Sequence, residues 1–300
     1  ASVAWWARTE PGREALVYGT ERITYGQLQE RVERGAGLLA AQGVKPGHVV
    51  ALLMKNSAAF IELSLAVSHL GAVLLPINYR LGAEEVAYIL DHAGAVLLLC
   101  DEELQASAGD ARKILVAAAA QADSRLLEER VLPVRESHPT RPDDLYRLMY
   151  TSGTTDRPKG VIHTHANAAW KAMDHIAALG LTRDEKLLVV GPLYHVGAFD
   201  LPGVAVLAQG GMLAILRDFD PEATLALIAR ERLTGGWMAP VMPNRVLALP
   251  GRERFDVSSL RWLIGGGERT PEERIREFGS LFTQARYVDA YGLTESCSGD

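Results

Sequence analysis

Tyr150-Thr151-Ser152-Gly153-Thr154-Thr155-Asp156-Arg157-Pro158-Lys159-Gly160 places four hydroxyl side chains and a glycine within five residues, then a lysine between proline and glycine. Glycine permits close backbone approach, so successive N–H groups can converge on an anion. Hydroxyls rotate to donate to phosphate oxygens, and Lys159 adds a compact positive charge. Residues 145–150 ahead of the loop read as a strand, and Val161-Ile162-His163 behind it as another. A hydroxyl-rich loop between two strands can cradle a polyphosphate; an exposed Ser/Thr/Gly turn is the structural alternative.

The stretch is not a Walker A loop, which needs Gly-Lys-Ser/Thr opening a helix. Here the order is Lys159-Gly160, and a β-branched run follows. The order Tyr-Thr-Ser-Gly-Thr-Thr-x-x-Pro-Lys-Gly-Val instead closely resembles a signature of the adenylate-forming (AMP-binding) superfamily. That group holds acyl-CoA synthetases, peptide-synthetase adenylation domains and beetle luciferases.

At 300 residues the chain exceeds what one ordinary core supports, so two packed subdomains are expected. A composition of 48% hydrophobic and 23% charged residues is ordinary for a globular protein. The net charge of −6 argues against a dedicated nucleic-acid or membrane-surface binder. Cys100 and Cys297 offer neither a disulfide framework nor zinc spacing, which fits a reducing cytoplasm. The most apolar stretches, 60–77 and 203–216, are interrupted by Glu62 and His69, or by Gln209 and a glycine pair. Both fall short of the roughly 18 uninterrupted apolar residues of a membrane span. Trp5, Trp6, Arg8 and Glu10 do not read as a signal peptide.

Along the chain, Thr24 and Gln27 form a capping box that opens a helix with Leu28, Val32 and Leu39 as its apolar stripe; Gly43 and Pro46 end it. Residues 48–54, 72–77 and 95–100 read as strands, and 57–70 and 84–92 as the helices between them. Continuously apolar strands alternating with helices mean a parallel sheet covered on both faces. Residues 111–122 read as a surface helix and 138–142 as a turn-rich connector. After the hairpin, helices are expected over 165–178, 204–208 and 221–231, and strands over 186–190, 212–216, 234–238 and 260–264. The expectation is an α/β protein of two doubly wound, mainly parallel sheet subdomains, with residues 150–160 between them.

Two later stretches carry chemistry. At Leu263-Ile264-Gly265-Gly266-Gly267-Glu268 a strand runs into three glycines, then a helix whose capping box is Thr270 and Glu273. This approaches the dinucleotide fingerprint but has Thr270 in its sixth position. It reads as a tight turn, or as backbone against which a flat base can slide. At Tyr287-Val288-Asp289-Ala290-Tyr291-Gly292-Leu293-Thr294-Glu295 a strand feeds an aromatic, a hydroxyl and a carboxylate in order. The aromatic can stack on a base, the hydroxyl can reach a phosphate, and the carboxylate can help hold magnesium among phosphates. Alone, Glu295 reads equally as a solvated charge, and His195, in an apolar setting, as a structural histidine.

Tyr-Gly-x-Thr-Glu resembles a second signature of the same superfamily. The segment around Pro192, Leu193 and His195 resembles one whose aromatic or histidine lines the acyl pocket. His163, Thr164, His165 and Asn167 also fit the pattern as supports for the loop, and Tyr79 and Arg80 as structural residues. The resemblance runs from Ile23 to Glu295. It implies activation of a carboxylic acid by ATP and magnesium to an acyl-adenylate, then transfer to coenzyme A. Thr151, Ser152, Gly153, Thr154, Thr155 and Lys159 would hold the β- and γ-phosphates. Gly266, Gly267 and Glu268, with Asp289, Ala290, Tyr291 and Gly292, would form the adenine pocket. Thr294 would touch the α-phosphate, and Glu295 would hold magnesium. His195, Trp237, Met238, Pro240, Gly265 and Gly292 would border the acyl site.

The sequence departs from the pattern beyond Glu295, where the superfamily's Thr-Gly-Asp segment, hinge and mobile C-terminal lid domain with its adenylation lysine do not follow. Little adenylation is therefore expected of these 300 residues alone. Apolar Trp237-Met238-Ala239-Pro240 suits a fatty acid, with an aryl acid second. Phe199-Asp200 is offset from where a peptide-synthetase aspartate would fall. A non-catalytic nucleotide-binding homologue and a luciferase-like oxygenase are the rival readings, and a homodimer is left open.

Overall fold

The computed structural model describes residues 2–116, 131–151 and 157–299. Helix α1 (Ser2–Thr9) precedes the hairpin β1 (Glu14–Tyr18) and β2 (Glu21–Thr24). Helix α2 (Tyr25–Ala41) starts at the anticipated capping box: Thr24 accepts from the Gln27 amide, and the Gln27 side chain accepts from that of Thr24. Next come β3 (Val49–Leu53), α3 (Ala58–His69), β4 (Val73–Pro76), α4 (Ala83–His92), β5 (Ala95–Asp101) and β6 (Lys113–Val116). The hairpin of β7 (Leu145–Thr151) and β8 (Lys159–Thr164) leads into α5 (His165–Leu179). Then follow β9 (Lys186–Val189), α6 (Ala205–Ala208), β10 (Met212–Ile215), α7 (Pro221–Glu231), β11 (Gly235–Met238) and α8 (Val241–Leu247). The rest is β12 (Trp262–Gly266), α9 (Glu272–Leu281), β13 (Arg286–Ala290) and a short ribbon, β14 (Gly292–Leu293) with β15 (Ser298–Gly299).

Two sheets form, in the orders β13-β12-β11-β9-β10-β1-β2 and β6-β5-β3-β4-β7-β8. Both are parallel except for their antiparallel edge strands β2 and β8. The chain's first hairpin thus joins the sheet made otherwise of residues after 185, a long-range pairing that local pattern does not reveal. One core draws on both sheets and on α2 and α3, including Leu16, Leu52, Phe60, Leu74, Leu187 and Trp237. Helix α3 lies between the sheets with nine of its twelve residues buried, which explains why its sequence is apolar all round. Its Glu62 is paired with Arg31. The outer faces carry separate cores, with α7–α9 on the larger sheet and α4 on the smaller.

Two local expectations are corrected. Residues 113–116, expected within a helix, form a parallel edge strand on β5; Ile114-Leu115-Val116 is a β-prone run, and the sheet edge supplies hydrogen bonds. Residues 117–122 of that expected helix lie outside the described residues. The capping box at Thr270 does not form: α9 starts at Glu272 after Pro271 with no side-chain cap, and the Thr270 hydroxyl instead meets the Tyr287 hydroxyl at 2.7 Å. That partner is 17 residues away, invisible to a four-residue motif.

Candidate active site

The chain passes from β9 to β10 on one side, then returns to build β11, β12 and β13 on the other. A crevice therefore opens at the carboxyl end of β9, the place where doubly wound sheets receive ligands. His195 follows β9, Trp237 ends β11, Gly266 ends β12 and Ala290 ends β13, so the sequence-separated candidates gather at one edge. Asn56, which follows β3 of the other sheet, fixes the segment before His195. Its amide donates to the Gly191 carbonyl at 2.8 Å, and its oxygen accepts from the Leu193 amide at 2.8 Å.

A cavity of about 390 Å³ is bounded by Tyr150, Thr151, Pro158, His195 and Thr294, with apolar walls from Ile77, Leu81, Ile89 and Met149. Beyond His195 a slot of about 60 Å³ is lined by Trp237, Gly266, Gly267, Ala290 and Gly292. His195 stacks over Trp237, ring centres 6.1 Å apart and planes 25° apart. Its edge is accessible, but the surrounding protein desolvates the imidazolium and lowers its pKa, so the ring is neutral near pH 7. A Cβ on Gly191 or Gly197 would sit 2.4 Å from the Trp237 ring, so those glycines make the seat of the indole.

The hairpin ends at Thr151 opposite Lys159. Ser152, Gly153, Thr154 and Thr155 lie outside the described residues. Lys159 is exposed and, among the described residues, no carboxylate pairs with it. Tyr150 packs on Gly160 and meets His92 Nδ1 at 2.7 Å, while Arg157 lies over Tyr88, so α4 braces both flanks of the loop. Tyr291 is 71% exposed and free to stack. Glu268 and Asp289 are exposed near the slot, and Gly265 is without a side chain because the Tyr287 hydroxyl occupies that space. Met238 faces the outer core on the opposite side of β11 from Trp237, and Pro240 precedes α8; neither lines the two cavities.

Glu295 is exposed beside Thr294, and no ion pair holds it among the described residues. The described residues contain no cluster of three His, Cys, Asp or Glu side chains able to hold a metal. One free carboxylate next to hydroxyls fits magnesium, a hard ion kept by one or two protein oxygens plus phosphate.

Beneath the site lies a network of which the sequence reading named only His163, as a support for the loop, and missed Arg147 and its pairing with Asp200. Arg147, 2% exposed, places Nη1 at 2.6 Å from both Asp200 carboxylate oxygens, and its Nη2 meets His163 Nδ1 at 3.1 Å. His163 Nε2 lies 2.6 Å from the Thr294 carbonyl. The available signal was an arginine inside an otherwise apolar strand, since a buried charge needs a partner. Nearby, burial and then the Asp200 carboxylate push the Cys297 thiol up to about 11, which leaves it protonated and unreactive.

The AMP-binding enzyme family model matches residues 3–299. Feruloyl-CoA synthase from Amycolatopsis sp is 36% identical over 295 residues, covering 98% of this chain and 58% of that protein. The long-chain-fatty-acid–CoA ligase FadD13 of Mycobacterium tuberculosis is 33% identical over 292 residues, covering 93% of this chain and 56% of that protein. This chain thus spans a little over half the length of these relatives. Among solved structures, the inhibitor-bound N-terminal domain of FACL13 from Mycobacterium tuberculosis superposes with a TM-score of 0.89 at 29% identity, covering 99% of this chain and 76% of that one. By its sequence, its two sheets and its crevice, the chain belongs to the AMP-binding enzyme family.

Proposed function

We propose that this chain is the adenylating part of an AMP-forming acid–CoA ligase, which joins a carboxylic acid to ATP as an acyl-adenylate and then passes the acyl group to coenzyme A. The observation that carries the reading is the convergence of the hairpin end at Thr151, His195 and Thr294 on one cavity that continues past His195 into a glycine-lined slot. The carboxylate is a weak nucleophile and the α-phosphorus is anionic, so the protein's task is positioning and neutralisation. Residues 151–155 and Lys159 hold the β- and γ-phosphates. Gly266, Gly267, Glu268 and Asp289 to Gly292 receive the adenine, with Tyr291 against its face; Thr294 reaches the α-phosphate. Magnesium, when bound at Glu295 and the phosphates, offsets charge on the departing pyrophosphate. Neutral His195 borders the reacting carboxylate without adding a competing charge.

For the acid, the Trp237 wedge stacked under His195 favours a flat aryl acid over a long-chain fatty acid, the glycine edge of the slot being kept for the adenine. The apolar walls at Ile77, Leu81, Ile89 and Met149 keep the fatty acid as the second reading. Both cysteines are buried and unpaired, in keeping with a cytoplasmic setting, and no helix among the described residues is long and apolar enough to cross a membrane. The test is acid-dependent pyrophosphate release by the full-length protein across aryl, fatty and amino acids. Release with aryl acids, falling about 100-fold or more in Lys159→Ala and Glu295→Gln, is expected. ATP binding without release for any acid would favour a non-catalytic module, and dependence on an amino acid would overturn the ligase reading.

A further inference from the structure

Arg147 and His163 are register partners across β7 and β8, four rungs behind the Thr151–Lys159 end of the same hairpin. Arginine only donates and a backbone carbonyl only accepts. With Arg147 on Nδ1 and the Thr294 carbonyl on Nε2, His163 must be the neutral ring protonated at Nε2. The Thr294 carbonyl also accepts from the Cys297 amide at 3.1 Å, closing the turn that presents Glu295. Cys297 holds a left-handed φ of 64°, a conformation that a non-glycine residue keeps only when its surroundings impose it. The Asp200 carboxylate, which seats Arg147, belongs to the segment after His195, so the assembly ties three parts of the site together.

We propose that His163, seated by the buried Arg147–Asp200 pair, is a positioning residue that fixes the Thr294–Glu295 turn relative to the phosphate hairpin. This rests on the ligase reading for what the turn binds. A donor one step removed from a metal-holding group orients it, and its loss costs about 10- to 100-fold in metal affinity or activity. His163→Leu cannot donate to the carbonyl. In His163→Gln the amide nitrogen donates to Thr294 and the amide oxygen accepts from Arg147, whereas His163→Asn is too short to span both.

The test measures ATP binding to the full-length protein by calorimetry with and without magnesium, and compares KM for ATP–magnesium with KM for the acid. Expected is a loss of about tenfold in magnesium-dependent ATP binding for His163→Leu, a smaller loss of metal-free binding through the Thr294 contact, acid KM within about twofold of wild type, and most of the loss recovered by Gln. Wild-type magnesium dependence in a folded Leu variant, or an equal loss of metal-free binding, overturns the proposal. Should Leu not fold, equal magnesium-dependent binding by the Gln and Asn variants overturns it, and better binding by Gln supports it. A wild type that binds ATP–magnesium but releases no pyrophosphate defeats the ligase reading alone, and the calorimetry still decides the role of His163. A wild type without magnesium-dependent ATP binding overturns both.

Discussion

Replacing Trp237 by alanine removes an indole that is 6% exposed and seated between Gly191 and Gly197. The loss of a buried tryptophan of this kind costs about 3–5 kcal/mol. Gly197→Ala attacks the same contact from the other side: its new Cβ would sit 2.4 Å from the ring, an overlap worth about 1–3 kcal/mol. Gly197 is outside the left-handed region, so alanine there adds packing conflict without backbone strain. In the double variant the methyl enters space that the indole has left. The Gly197→Ala penalty should then vanish, and the pair should be less destabilised than the two singles together by about 1–3 kcal/mol. Urea unfolding of the four proteins measures this coupling. Additivity to within about 0.5 kcal/mol would refute the claim that the glycines are there to seat the ring. In the full-length protein the Trp237→Ala slot should also accept longer acids, and an unchanged preference in a pyrophosphate-release panel would remove Trp237 from the acyl site.

Asp200→Ala should cost about 3–5 kcal/mol, because it strands a buried guanidinium, whereas Arg147→Leu with Asp200→Leu should cost much less; thermal unfolding compares them. His69, His163, His165 and His195 all have pKa values lowered by burial from 6.5. The unfolded chain then binds more protons below that value, so stability should rise with pH up to about 6.5 and fall below it. A urea midpoint that does not drop between pH 7 and pH 5.5 would contradict this assignment. Tyr25→Phe deletes a fully buried hydroxyl 2.7 Å from the Gly211 carbonyl and should cost about 1 kcal/mol, seen as a lowered Tm.

Much of this architecture is written in short-range pattern. Thr24 with Gln27, Ser57, and Thr164 with Asn167 cap helices where their spacing places them, because a cap is satisfied within one turn. Apolar runs such as Val73–Pro76 are strands buried on both faces, and the strands expected on either side of the hydroxyl-rich stretch form as β7 and β8. Residues 113–116 and Thr270 escaped because their partners, β5 and Tyr287, come from other parts of the chain. Met238 is placed beside Trp237 at the acyl site by the family resemblance, but neighbouring strand residues point to opposite faces and Met238 enters the outer core.

The amino-acid order by itself determined the family and the α/β class and supplied the expectation of which side chains meet a nucleotide, since these depend on contiguous motifs and periodicity. Only the tertiary structure decided that the first hairpin joins the later sheet, that Trp237 rather than Met238 walls the slot, and that Arg147, Asp200 and His163 stand under Thr294. Burial and partner choice are properties of surfaces brought together from distant parts of the chain, and no local pattern encodes which surfaces will meet.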